Sequence, residues 1–410
     1  MVLVLISMAM FGNYYIYDSI SPLADVLKAQ LGFSDGDIGW LNAIYSIPNI
    51  FMVLIGGVVI DRIGVRRSVA IFAALCLVGA AITASSGILP VMAAGRLVFG
   101  IGAESLIVAV TTAVAKWFRG KELSLAFGLN LTIARLGSFA ALNSPSWGAS
   151  LYESWRLPLM LSVAAGVICV AGAIIYWILE RSSERQYDLG KGGDTDKVVL
   201  ADLMRFGRSY WLIVALCVVF YSAVFPFQTF AVKFFIESHG TTRETGGFLS
   251  SILTLFAMVA TPLFGYSADR YGRRASLMLF GSILLIPAYL LMAYTSLSLY
   301  IPMAMMGVAF ALIPAVMWPS VAYIVGQERL GTAYGLMTMI QNIGLAGFNL
   351  LIGWANDAWG ASAAHPEGYI PGMWIFTVLG VLGVVFAVLL LRRERGSDAH
   401  GLETITITHQ

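Results

Sequence analysis

Charge along this chain is confined to short runs, and the stretches between them are apolar and of bilayer length. A helix crossing the roughly 30 Å hydrocarbon core needs about 20 such residues. Approximate spans are 3–28, 37–60, 68–86, 89–115, 122–144, 157–179, 210–236, 245–267, 275–294, 298–325, 331–355 and 371–391. In hydrocarbon every backbone N–H and C=O must find a partner within the protein, so runs of this length form helices. The expected fold is therefore an all-α integral membrane protein of twelve transmembrane helices. Composition excludes the soluble alternative. Apolar residues make up 59% of the 410 positions and charged residues 12%, against roughly 25% charged in soluble domains. The lipid bilayer is the implied partner, and a net charge of +2 without a basic stripe offers nothing to nucleic acid.

The opening segment, Met1 to Met10, lacks a positive leader and a small-residue cleavage site. It reads as the start of the first span rather than a cleaved signal. Cys76, Cys169 and Cys217 all fall in apolar spans and read as small buried hydrophobes. All four histidines fall in expected loops or the tail, and neither HExxH nor GxSxG occurs. No metal, cofactor or enzymatic constellation is expected.

The polar segment Glu180–Ser209 separates six spans from six. Expected units are an N-terminal bundle (1–179), a central linker (180–209), a C-terminal bundle (210–391) and a tail (392–410). Of the 25 Lys and Arg residues, 19 fall in alternate loops, the linker and the tail. The positive-inside rule puts those segments, and both termini, in the cytoplasm. The two halves repeat. Gly57-Val-Val-Ile-Asp61-Arg62-Ile-Gly64-Val-Arg66-Arg67 returns as Gly265-Tyr-Ser-Ala-Asp269-Arg270-Tyr-Gly272-Arg273-Arg274, with the aspartates 208 positions apart. Ala126-Phe-Gly-Leu returns as Ala333-Tyr-Gly-Leu at an offset of 207. Repeated halves with a site at their interface are a common transporter plan.

Ionisable groups at bilayer depth mark functional sites by default. Asp18, Arg96, Glu104, Arg135 and Lys233 qualify. Arg96, Gly100 and Glu104 share one helix face at steps of four. An acid and a base on a common cavity suit a zwitterion: Arg135 grips a carboxylate in two-pronged fashion and Glu104 accepts an ammonium. The bland alternative is a structural Glu104–Arg135 ion pair. At the repeat offset Arg135 becomes Asn342, and its neighbour Ala134 becomes Gln341, so the second half offers neutral hydrogen-bonding groups. On span one, Tyr14, Tyr17 and Asp18 suggest a polar cavity, with Asp18 either in the site or paired with Lys233 or Arg96. Tyr221, Phe225 and Trp318 are candidate aromatic walls.

The repeated G-x-x-x-D-R-x-G loop resembles the signature loop of the major facilitator superfamily. Arg96-Leu-Val-Phe-Gly100-Ile-Gly102 resembles its fourth-helix motif. The resemblance implies a monomer and a cytoplasmic gate held by Asp61, Arg62, Arg66, Arg67, Arg96, Asp269, Arg270, Arg273 and Arg274. A narrower resemblance is carried by Tyr14-x-x-Tyr17-Asp18, Tyr45-Ser-Ile-Pro48-Asn49, Gly95 through Glu104, Trp117 through Glu122 and Ala134-Arg135-Leu-Gly-Ser138. Ala223 through Phe227, Trp318-Pro319 and Leu330 through Ala346 extend it into the second half. These look like the family of major facilitator superfamily domain-containing protein 1, lysosomal dipeptide uniporters. The likeness implies dipeptide uniport, with an acid and an arginine reading the peptide termini, and brings Tyr45 into the expected site. The E-x-x-E-R run of proton-driven peptide transporters is absent from span one, and the one Asn-x-Thr triplet, Asn130-Leu-Thr132, lies inside span five. With no eukaryotic sorting tail, a bacterial cytoplasmic membrane is expected rather than a lysosome. The competing function is a proton-coupled carrier of organic anions, using Arg135 and Arg96 with Glu104 as proton carrier.

Overall fold

The computed structural model describes residues 2–118, 123–183, 206–326, 329–397 and 399–406. Most of the expected central linker, 184–205, and the basic residues Arg119 and Lys121 lie outside the described residues. The first half comprises α1 (Val2–Asp18), α2 (Ala24–Leu31), α3 (Asp35–Ile63), α4 (Val65–Ser85), α5 (Leu89–Trp117), α6 (Leu123–Leu142), the short α7 (Ser144–Trp147) and α8 (Arg156–Ser183). The second comprises α9 (Arg208–His239), α10 (Arg243–Tyr271), α11 (Arg274–Tyr294), α12 (Tyr300–Ile324), α13 (Leu330–Ala358) and α14 (Ile370–Glu394).

Among the described residues ten helices are long and apolar enough to cross a membrane, or eleven if the bent α3 counts as one. Large apolar side chains such as Phe51, Ile178, Val259 and Leu263 stand exposed on the outside. Such a surface suits a protein whose solvent is lipid. Cys76, Cys169 and Cys217 are buried and unpaired. Asn130 is buried on α6, where its amide oxygen accepts from Ser7 Oγ at 3.0 Å.

Span one is not a single helix over 3–28. Helix α1 ends at Asp18, a 3-10 turn covers Ser21–Leu23, and α2 follows. Pro22 explains the break: it lacks an N–H, and its ring would clash with the carbonyl of Asp18 four residues earlier. Local signals set other ends. Ser34 Oγ accepts from Asp37 N at 3.0 Å while the Asp37 carboxylate accepts from Ser34 N at 2.9 Å, a reciprocal cap on α3.

Helices α1, α4–α6 and α8 pack chiefly within the first group, and α9–α12 and α14 within the second; α3 and α13 pack most extensively on each other across the two groups, and α6 lies along α10. Polar ties between the groups gather at the end where α3 begins. The Asp357 carboxylate accepts from Asp35 N at 2.8 Å and Gly36 N at 2.6 Å, Arg243 pairs with Asp25 at 2.5 Å, and Ser21 donates to the Gln228 carbonyl. The backbones almost touch there: a Cβ on Gly353 would lie 2.4 Å from the Asp35 carbonyl oxygen. Gly353→Val is therefore expected to destabilise this end by about 1–3 kcal/mol, as overpacking does. A lower melting temperature of the purified protein would register it, and an unchanged one would count against this closure.

At the opposite end the two signature loops differ. Asp61, Arg62 and Arg67 are exposed. In the second loop Arg274 is buried; its guanidinium donates to Asp269 Oδ1 at 2.8 Å, to the Ile405 carbonyl at 2.8 Å and to Tyr323 Oη at 3.2 Å. Gly272 and Arg273 take left-handed backbone angles. The loop then accepts the tail: Arg273 N and Arg274 N donate to the Glu403 and Leu402 carbonyls, and the Glu403 carboxylate accepts from Ser276 N and Oγ. Each such bond contributes on the order of 1 kcal/mol net. Ending the chain at Gly396 should lower the melting temperature by roughly 2–5 °C, measurable by thermal unfolding in detergent. No change would mean that the tail holds nothing.

Candidate functional site

Between the two groups lies a cavity of about 280 Å³. Its first-half wall carries Tyr14, Tyr17 and Asp18 from α1, Tyr45 from α3, Glu104 from α5 and Arg135 from α6; its second-half wall carries Tyr221, Phe225, Trp318, Gln341 and Asn342. The cavity thus gathers residues from seven helices that are up to 332 positions apart in sequence.

The break in α1 places Tyr17 and Asp18. Ending a helix inside a span frees backbone carbonyls, which need donors in a low-dielectric interior. Arg96, 1% exposed, supplies them: its Nη1 lies 3.2 Å from the Ile16 carbonyl and its Nη2 3.4 Å from that of Tyr17. Further bonds go to Leu41 O and Asn42 Oδ1. Its guanidinium lies over Tyr45 and Phe99, at 5.3 and 5.4 Å from the ring centroids. Arg96 therefore holds the broken helix from beneath and does not line the cavity. Its partners Leu41 and Asn42 lie near the start of α3, whereas the first signature loop follows the far end of that helix, so Arg96 stands apart from the expected gate.

Arg135 faces the cavity between two rings, 5.8 Å from the Tyr14 centroid and 4.9 Å from that of Phe310 on α12. Gly137 permits this placement, because a Cβ there would lie 2.2 Å from the Phe11 carbonyl oxygen; without one, α6 presses onto α1. Cation–π contacts hold a guanidinium in place while leaving its in-plane N–H donors for another acceptor. Among the described residues Arg135 and Glu104 form no ion pair or hydrogen bond with protein, so the expected alternative of a structural Glu104–Arg135 bridge is not made. Asp18 interacts with Ser138 and with the charges of Arg135 and Arg96.

The opposite wall is aromatic and neutral. Tyr221 and Phe225 stack at 5.6 Å with 13° between planes, and Trp318 Nε1 donates to Tyr221 Oη at 3.0 Å. Phe225 meets Tyr17 edge-on at 6.0 Å, so the two walls touch here. Asn342 Nδ2 bonds the Thr338 carbonyl of its own helix, and the Gln341 amide oxygen lies 3.5 Å from Cys217 Sγ.

Lys233 departs from the expected site. It does not reach the cavity but is fully buried elsewhere, with its ammonium 2.7 Å from Asp35 Oδ2. Nor does it pair with Asp18. Lys233 is eight residues beyond Phe225, roughly 12 Å further along α9 at 1.5 Å per residue. Sequence reasoning missed Asn13, Ile107, Ser138, Thr338 and Leu345 in the lining, and Phe310 beneath Arg135. The helical period held the signal for several: Ile107 is three residues beyond Glu104, Ser138 three beyond Arg135, and Thr338 three before Gln341. Phe310 left no such mark, since it reaches Arg135 from the other half.

Known proteins match the whole chain. The family model described as Major Facilitator Superfamily covers residues 6–242 and 215–405. The chain is 34% identical over 405 residues to the lysosomal dipeptide transporter MFSD1 of Danio rerio, a match covering 95% of this chain and 86% of that protein. Against MFSD1 of Homo sapiens it is 31% identical over 429 residues, covering 100% of this chain and 90% of the relative. Among solved structures, the nucleoside transporter NupG superposes with a TM-score of 0.74 at 15% identity, covering 97% of this chain and 100% of that one, a likeness of fold.

Proposed function

The chain belongs to the Major Facilitator Superfamily and is a multi-pass membrane transporter; from that premise we propose that it carries dipeptides by alternating access, as a uniporter. One observation carries the reading: one cavity presents the Glu104 carboxylate and the Arg135 guanidinium, and among the described residues neither is in a salt bridge or hydrogen bond with protein. Ions left so in a low-dielectric interior are costly unless a ligand or water completes them. A zwitterion completes both. Arg135 Nη and Nε donors take the peptide carboxylate, Glu104 takes the terminal ammonium, and Gln341 and Asn342 face the peptide group from the opposite wall. The cavity is near the lower end, roughly 300 Å³, of small-ligand sites, which suits two residues better than a longer peptide. The dipeptide transporters among its relatives support the same substrate class.

In this reading the bundles 1–179 and 210–391 rock about the cavity. The basic loops and termini face the cytoplasm of a bacterial cell, as their Lys and Arg excess argues. The tied end at Asp35 is then the outer end, and the conformation is closed to the outside. The organic-anion alternative needs Arg96 as a second anion-binding cation, yet its donors are occupied by backbone carbonyls and Asn42.

Counterflow in proteoliposomes tests the proposal, with labelled dipeptides and dicarboxylates offered with and without a proton gradient. Dipeptide exchange that persists without a gradient and does not acidify the lumen is expected. Exchange of dicarboxylate but not dipeptide would overturn the substrate; dipeptide uptake that requires the gradient would overturn uniport.

A further inference from the structure

The most heavily buried charges outside the cavity form one cluster at the tied end. Lys233 Nζ on α9 lies 2.7 Å from Asp35 Oδ2 on α3, 2.8 Å from Tyr369 Oη and 3.3 Å from Glu237 Oε2. Tyr369 Oη donates to Glu237 Oε2 at 2.5 Å. The Lys233 and Asp35 side chains are both 0% exposed. This pair joins the two halves. The second Asp35 oxygen, Oδ1, has no hydrogen bond and faces Lys28 Nζ, of its own half, at 3.6 Å.

Separating a buried ion pair normally strands two charges, and stranding one charge is strongly unfavourable. Here each member has an opposite charge waiting within its own half. Lys233 keeps Glu237 and Tyr369 when Asp35 leaves; Asp35 keeps Lys28. The reserve groups are also the more accessible ones, with Glu237 at 14% and Lys28 at 34% side-chain exposure. We infer that Lys233, Asp35, Glu237 and Lys28 form a charge-exchange latch, in which opening of the tied end trades the Lys233–Asp35 ion pair between halves for an ion pair within each half. Lys233 is thereby a positioning residue for transport: it acts through Asp35 on the closure and does not touch substrate. The inference rests on the alternating-access reading above.

The latch makes predictions of opposite sign for two neighbouring acids. Asp35→Asn removes the ion pair between halves and should favour the open end. Glu237→Gln removes the reserve, so Lys233 cannot leave Asp35 without being stranded, and the end should stay shut. A merely structural cluster would loosen in both variants. The test uses full-length protein in liposomes, with spin labels on Ile88→Cys and Ala364→Cys, exposed positions in loops at the tied end of each half. Pulsed electron paramagnetic resonance then reads the short- and long-distance populations without any substrate.

Asp35→Asn should raise the long-to-short ratio at least about tenfold, and Glu237→Gln should lower it by about as much, as expected from stranding a buried charge. In exchange assays Glu237→Gln should lower kcat while leaving KM near the parent value. Asp35→Glu keeps the charge and should keep the parent ratio, which guards against a folding defect. Lys28→Gln, on a partly exposed side chain, is a second reserve-removing variant and should also shift the population towards closed. Lys28 also donates to the Ala361 carbonyl across the halves at 3.4 Å, so a purely structural role would loosen that variant instead. Shifts of the same sign in Asp35→Asn and Glu237→Gln, or none in either, would overturn the latch. Distances that shift as expected in a protein that exchanges no dipeptide would leave the latch standing and remove the substrate reading.

Discussion

Arg135→Ala is expected to reduce dipeptide exchange at least about thirtyfold, in line with the roughly 2–5 kcal/mol lost when one partner of a buried charge pair is truncated. The effect should be large because, among the described residues, no other Lys or Arg lines the cavity. Arg96 is committed to the break in α1, and Lys233 to Asp35. Arg135→Lys separates charge from shape. An ammonium retains the charge but can neither lie flat between Tyr14 and Phe310 nor present two parallel donors. Exchange should fall about tenfold in that variant, mostly through KM, since one of two charge-assisted bonds is lost. Counterflow kinetics, together with thermal stabilisation by added dipeptide, read both variants. An Arg135→Ala protein with the parent KM would remove Arg135 from the site.

Glu104→Gln should weaken dipeptides by roughly ten- to a hundredfold, the range of a hydrogen bond to a charged group at about 1.5–3 kcal/mol. The informative control is the substrate rather than the protein. An N-acetylated dipeptide has no ammonium, so it should be a poor substrate for the parent and lose little further in Glu104→Gln. That non-additivity is the signature of direct contact. If both substrates lost equally, Glu104 would be acting on the fold; if dipeptide affinity held and only proton movement changed, Glu104 would be a proton carrier. Asp18, held by Ser138 and near two arginines, is already partly compensated. Its neutralisation should matter less than that of Glu104.

Much of the site was legible because the physics of a membrane makes its signals sparse. In an apolar chain an Asp, Glu or Arg within a span is conspicuous, and helical periodicity says which neighbours share its face. Glu104 and Arg135 were found that way, and the repeat offset led to Gln341 and Asn342 on the opposing wall. The same logic failed at Lys233. Conspicuousness reports that a charge is buried, not what it is buried against, and two further turns of α9 carry Lys233 out of the cavity and into the closure. Arg96 was likewise conspicuous but mis-grouped. Its partners are carbonyls freed by Pro22, a residue that the smooth hydropathy of span one concealed.

The sequence by itself determined the solvent, the helical class, the internal duplication and the chemical types available to a central site. Each of these depends on run length, composition or local period, which are properties of neighbouring residues. Only the tertiary structure decided which charges are spare. That is a matter of contacts between distant segments: Lys233 meets Asp35 across 198 positions, Arg96 reaches Ile16 across 80, and the tail reaches Arg274 across 131. In an interior where every buried charge requires a partner, the ions left without one point to the ligand. Which ions those are is known only after all other pairings have been made.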